Sequence, residues 1–432
     1  MTGFILFMAG CSFVIIMLNC AIFNPQRVGF TASFYYFIWS LLNFTLFPIW
    51  AVYLWGTFSK YSDLTVVVSM VFLNVYLLSQ ALGALLARRY RFKNFDQVIM
   101  RSLNKIALKE KRLMMIGLVF TGLYIMAVIG RYGSLSITAN ALVSNAGLDT
   151  SAILKGGGNY YFSFVTIAFR FSAIMMLAII YKRGLVWFII ATVVFFYLSM
   201  LNFSKYALLI PFVAVALLHF AGRLKSKKTI YLVIGYIAFV GILAINAARK
   251  GNQAFFTLEF SELPYAASII IWRGDFYHGF LALNEQVLAG NISPQFGFAS
   301  LALLFRVVPR SIWPDRPGST DRELTEQVLG FTDADGWTLS FGGVGESYLN
   351  FLFIGPMIWG LMSGYVIMTF QRYFVECVKR KALVQIAILM AVPVYFMPWN
   401  MGLNDYFGRI FIFSMIFLVL LFHLRRFKVA PQ

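Results

Sequence analysis

The sequence predicts an all-α polytopic integral membrane protein of about eleven transmembrane helices with one large extracytoplasmic loop. Three observations predict it. Hydrophobic residues make up 60% of the 432-residue chain and charged residues only 12%, too little polar surface to cover a water-soluble fold of this size. Apolar runs of about 20 residues, the length a spanning helix needs, recur along the chain. The surplus of positive charge alternates from one inter-run segment to the next.

The runs fall near 3–23, 31–56, 64–87, 113–132, 160–181, 185–201, 205–222, 229–247, 343–370, 382–399 and 408–424. No basic residue precedes the first run and no small-residue cleavage site follows it, so it reads as a retained helix rather than a signal peptide. Cys11, Cys20 and Cys377 lie in or beside apolar runs without metal or disulfide spacing and read as packing residues.

Lys and Arg in short loops resist translocation, so they fix orientation. If the basic loop at 88–112 is cytoplasmic, alternation also puts Arg27, Lys182–Arg183, Arg223–Lys228, Arg372–Lys381 and Arg425–Lys428 inside. Those segments hold 23 of the 36 Lys and Arg but only Asp96, Glu110 and Glu376 of the acids. The net charge of +19 is therefore a topology signal, with room for anionic-lipid contacts, and not a nucleic-acid footprint.

This orientation divides the chain into residues 1–247 with eight spans, an outward loop at 248–342, and 343–432 with the last three. Within the loop, Tyr265–Trp272 and Gly297–Val308 are apolar but short, as expected of interfacial or re-entrant pieces beside a cavity. A second outward loop, 133–159, contains Lys155-Gly156-Gly157-Gly158-Asn159. No Walker spacing follows this glycine run, so it reads as a lid or linker. No internal repeat marks a transporter built from duplicated halves.

Ionisable groups within or at the mouths of spans are costly and are functional candidates for that reason. Arg170 lies mid-span. Lys205 sits in the outward turn between two spans, Arg249 leaves the eighth, and Arg409 opens the last just after Asp405. With Arg273, Arg310 and Arg316 they give seven cations able to converge on one outward cavity. Such a cluster suits a pyrophosphate, because guanidinium forks match phosphate oxygens. The structural alternatives pair Arg273 with Asp275, Arg316 with Asp315 and Arg409 with Asp405.

Candidate bases lie beside these cations. In Asp275-Phe276-Tyr277-His278 the i, i+3 spacing puts carboxylate and imidazole on one helical face, where the ring could act as a base or simply sit at the interface. Glu346, after Gly342, Gly343 and Gly345 at the mouth of the ninth span, is placed either to accept a hydroxyl proton or to cap that span. His219 and His423 read as structural. No His, Asp and Glu cluster has ligand spacing, and Asp333-Ala334-Asp335 alone reads as a solvated pair rather than a metal site.

Two stretches carry a resemblance. Val308-Pro309-Arg310-Ser311-Ile312-Trp313-Pro314-Asp315-Arg316-Pro317, followed by Gly345-Glu346-Ser347-Tyr348-Leu349-Asn350-Phe351 and a span punctuated by Gly355, Gly360 and Gly364, resembles the oligosaccharide repeat-unit polymerase (Wzy, O-antigen polymerase) family. Asn202–Leu208, Trp272-Arg273-Gly274-Asp275 and Leu403–Arg409 are similar to that family's other Arg-bearing segments, with Lys205 where the family carries Arg. The likeness covers about the second half of the chain. An Arg followed by ten residues and then Gly, described for some members, is absent.

The resemblance implies a GT-C-like, inverting glycosyltransferase related to O-antigen ligases, set in the bacterial cytoplasmic (inner) membrane with its site facing outward. It would join oligosaccharides carried on undecaprenyl pyrophosphate in O-antigen, capsule or exopolysaccharide synthesis. It would use no metal, nucleotide sugar or other cofactor, and a chain-length co-polymerase is a possible partner. On that reading Arg170, Lys205, Arg249, Arg273 and Arg409 hold the pyrophosphate, Arg310 and Arg316 hold the loop or donor, and Tyr348 lines the site. Glu346 or His278, the latter oriented by Asp275, takes the acceptor proton. The alternatives are an O-antigen ligase, a flippase or transporter of the same lipid-linked sugar, and an inactive scaffold.

Overall fold

The computed structural model describes residues 1–23, 40–50, 61–90, 110–136, 158–201, 209–224, 275–296 and 341–396, with a few single positions between them. Among the described residues every regular element is helical. The helices are α1 (Thr2–Phe23), α2 (Asp63–Arg89), α3 (Glu110–Tyr132), α4 (Gly158–Tyr181), α5 (Leu185–Met200), α6 (Leu209–Phe220), α7 (Asp275–Leu288), α8 (Gly342–Phe351), α9 (Ile354–Lys379) and α10 (Leu383–Phe396). A π-helical stretch, Leu41–Leu46, runs into a single α turn at Phe47–Trp50.

The helices α1, α2, α3 and α4 from Phe164 onward are long and apolar enough to cross a bilayer. Their exposed side chains, such as Phe7, Val14 and Leu18 on α1 and Met115, Leu118 and Met126 on α3, are apolar, which suits lipid and not water. The protein is thus a helical membrane protein. The expected spans at 229–247 and 408–424 lie outside the described residues.

Two packed bodies share α9. In the first, α2 lies between α1 and α9. The buried positions of α1, Ile5, Ala9, Ser12, Ile16, Asn19 and Phe23, follow a heptad and turn one narrow stripe to the body's core. On the other side of α2, Gly360 of α9 meets the Tyr76 carbonyl and Gly364 meets that of Gln80, so any Cβ at those positions would overlap α2 backbone. Matching 360 with 76 and 364 with 80 means that the two helices run parallel. Their close approach is the small-residue packing that lets membrane helices gain dispersion contact when no hydrophobic drive separates helix from lipid.

The second body packs α4 against α3, α5, α6 and α10. Aromatic and methionine side chains fill it: Tyr124 stacks on Phe169 with ring centroids 4.3 Å apart, and Met175 and Met176 are buried beside them. Lys182 pairs with Glu110, tying the end of α4 to the start of α3 at the face that alternation makes cytoplasmic. Cys11, Cys20 and Cys377 are free thiols.

Candidate functional site

The expected single span at 343–370 is two helices. The reason is local: Pro356 has no N–H to give the Leu352 carbonyl, which instead accepts from Gly355 N at 3.0 Å. Leu352 takes φ 50°, a conformation unfavourable for a branched side chain, and the axis breaks there. With the axis broken, α8 packs back on the start of α9, where a Cβ on Gly355 would overlap the Ser347 carbonyl. The Gly355-Pro356 pair was the legible signal.

Ten residues of α helix span about 15 Å, half a bilayer core. Every residue of α8 from Gly342 to Asn350 is buried. Val344 and Tyr348 face the core shared with α2 and α7, while Gly345 and Leu349 face Phe280 and Leu283 of α7. Ser347 faces α9. At 100° per residue this leaves Glu346 and Asn350 together on the remaining face, one turn apart, with Asn350 Nδ2 donating to the Glu346 backbone carbonyl at 2.8 Å.

Glu346 is 2% exposed. A carboxylate so placed is expensive unless the fold provides for it, the usual mark of a functional side chain in a membrane protein. The capping alternative does not hold. Phe341 occupies the N-cap of α8, and Glu346 is the fifth residue of the helix, beyond the first turn whose amides need caps.

Tyr348 is buried between Phe72 and Phe353, with ring centroids 4.8 and 6.2 Å away. It packs the scaffold behind Glu346. Asp275 and His278 open α7 in one helical turn, as their spacing requires, and only their backbone is described. The end of α7 is moored: Glu285 Oε2 accepts from Ser62 N at 3.2 Å and from Ser62 Oγ at 3.0 Å, at the N-cap of α2. Burial pushes the Glu285 carboxyl up, but hydrogen bonds from Thr65 and from the Ser62 hydroxyl and amide outweigh it and hold the group below the ordinary carboxylate range. Deeper in, Asn284 Nδ2 donates to Ser69 Oγ at 2.6 Å, a tie between α7 and α2 that hydropathy could not indicate.

Arg170 lies in the other body and is 2% exposed. Its Nη2 donates to the Ser199 carbonyl at 3.2 Å, and Tyr124 Oη donates to the neighbouring Leu198 carbonyl at 2.9 Å. Both acceptors belong to the last turn of α5, whose final carbonyls have no partners within the helix. Because α5 has only 16 residues, it ends within the thickness of a bilayer. A guanidinium at that end meets an orphan carbonyl and the negative pole of the helix, which accounts for part of the burial of Arg170. The sequence could not show this partner, which lies 29 residues away on another helix.

Arg273, Lys205, Arg249, Arg310, Arg316 and Arg409 lie outside the described residues. Among the described residues no group of three or more His, Cys, Asp or Glu gathers to hold a metal ion. Comparison with protein-family models, curated proteins and solved structures finds no match.

Proposed function

We propose that the protein is a lipid-linked oligosaccharide repeat-unit polymerase that uses a polyprenyl-pyrophosphate donor. The observation that carries this reading is Glu346: a buried carboxylate on a broken half-helix, within the segment Gly345–Phe351 whose wording resembles the polymerase family. Irregular backbone at membrane depth is tolerated where it lines a site.

In the reaction an acceptor sugar hydroxyl attacks the anomeric carbon of the donor glycan. A C–O glycosidic bond forms and the anomeric C–O bond to pyrophosphate breaks, with inversion. The hydroxyl proton passes to Glu346, or to His278, and the leaving polyprenyl pyrophosphate takes the bonding electron pair, stabilised by the cations of the outward segments. Asn350 holds the helix turn that carries Glu346.

The test supplies purified full-length protein with a defined undecaprenyl-pyrophosphate oligosaccharide and looks for products carrying two repeat units. Glu346→Gln should lower their formation by about 10²-fold or more while the protein remains inserted and monodisperse. Wild-type protein that makes no dimer, or a Glu346→Gln variant as fast as wild type, would refute the reading. Transfer to a lipid A core acceptor alone would identify a ligase, and transbilayer movement without bond formation a flippase.

A further inference from the structure

Arg131 has no part in the reading above, yet its setting is unusual. It lies in the last turn of α3, at the end of the bundle opposite the Lys182–Glu110 pair, which makes it one of the minority of cations on the outward side. An arginine in a last turn ordinarily turns to the terminal carbonyls. Here the guanidinium carbon instead sits 4.6 Å from the centroid of the Phe162 ring and 5.3 Å from that of Tyr132, with the two rings edge to face. Nε is buried without a hydrogen-bond partner, and among the described residues no carboxylate pairs with the group.

Aromatic faces fix a guanidinium plane and exclude water from it, but they leave its N–H edges unanswered. One helical turn inward from Phe162 on the same face of α4, Thr166 is 4% exposed and its hydroxyl has no partner. Beyond it the Ser199 hydroxyl of α5, 0% exposed, is likewise unanswered. Donors without acceptors thus follow one another along the seam of α3, α4 and α5. The chemistry they lack is an anion with several oxygens, delivered at the membrane interface.

We propose that Arg131, clamped by Phe162 and Tyr132 and backed by Thr166, binds the phosphate group of a lipid at the outward mouth of the α3–α4 seam. The ligand is a phosphate ester on a lipid, either a bilayer glycerophospholipid or a polyprenyl pyrophosphate. Only the second choice rests on the polymerase reading. Arg131 is a binding residue here and takes no part in bond formation.

The experiment uses full-length protein in phosphatidylcholine nanodiscs, titrated separately with phosphatidylglycerol, undecaprenyl pyrophosphate and inorganic pyrophosphate. Bound probe is counted by native mass spectrometry for wild type, Arg131→Gln, Arg131→Lys and Phe162→Leu. Arg131→Gln should weaken lipid-phosphate binding at least tenfold, and Phe162→Leu and Arg131→Lys by smaller factors, since each keeps a cation but loses its stacked plane. If Arg131→Gln does not fold, the other two variants still decide. Loss confined to undecaprenyl pyrophosphate identifies the donor as occupant, whereas loss that extends to phosphatidylglycerol identifies bilayer lipid. Variants that bind like wild type, or wild-type protein that retains none of the three probes, would overturn the site. A site that binds in a protein without polymerase activity would stand while the polymerase reading fell.

Discussion

The two bodies of the molecule solve the same packing problem differently. Between α2 and α9, glycines bring backbones together and a small polar group bonds across the gap: Gln80 Nε2 donates to Ser363 Oγ at 2.9 Å, and within α2 also to Tyr76 Oη at 2.8 Å. Around α4, stacked rings, methionines and one guanidinium fill the space. The first arrangement yields two long, laterally locked rods on which the short α8 can be seated. The second accepts a helix that stops early, and therefore needs side chains from elsewhere to satisfy the stopped end. The difference teaches that a buried polar group in this protein is best read by asking which backbone it completes.

The harshest way to break the comparison is at the glycines. Gly364→Val forces side-chain atoms into the Gln80 carbonyl, and neither backbone can yield cheaply, so a loss of about 3 kcal/mol or more is expected. Thermal melting in detergent should show a large fall in Tm, against little change for Gly122→Ala, where a Cβ meets open space. Equal melting of the two would mean that the rods are not in contact.

In the other body, Arg170→Met strands the Ser199 carbonyl at the end of α5. The expected cost is about 2 kcal/mol, the penalty of leaving a buried acceptor unanswered. A variant that is inactive yet melts like wild type would separate a substrate role from this capping one.

A milder probe sharpens the contrast. Gln80→Leu removes the bonds to Ser363 and Tyr76 but keeps most of the volume, and interhelical hydrogen bonds in membranes contribute about 0.6 kcal/mol on average. The loss should therefore stay below about 2 kcal/mol. A larger loss would make hydrogen bonding, and not glycine contact, the main cement of α2 and α9.

The smallest effect concerns the mooring of α7. The folded Glu285 carboxyl titrates below its unfolded value, so its contribution is present above the unfolded carboxylate range and is lost as pH falls through the lower folded value. Glu285→Gln should thus lower Tm slightly at neutral pH, by less than about 1 kcal/mol in stability, and not at all at strongly acid pH. Wild type and variant differing equally at pH 7 and pH 3 would show that the ionised group is not what holds α7.

Hydropathy made the long helices legible. The run at 3–23 is α1, 64–87 lies within α2, 113–132 within α3, and 160–181 within α4. Burial by lipid acts on each of these segments independently, so no knowledge of its neighbours was needed. The break at Leu352 was legible only through Gly355-Pro356, because hydropathy runs unbroken across it. Glu346 stood out in sequence as a carboxylate among glycines, but its place beyond the first turn depends on where α8 begins. The polar partners of Arg170, Asn284 and Glu285 were not legible at all. Each is a tertiary contact between chain segments 29 to 223 residues apart.

The parallel course of α2 and α9 has an electrostatic result. Neighbouring helices usually run in opposite senses and cancel their macrodipoles, whereas two that run in the same sense add theirs, each worth about half a positive charge at its first turn. The end of the bundle from which α2 and α9 run thereby carries a fixed attraction for negative groups that needs no ionisable side chain and persists at every pH, with the head of α9 set deeper than that of α2. Glu285, whose carboxylate receives the Ser62 amide at the head of α2, already answers it.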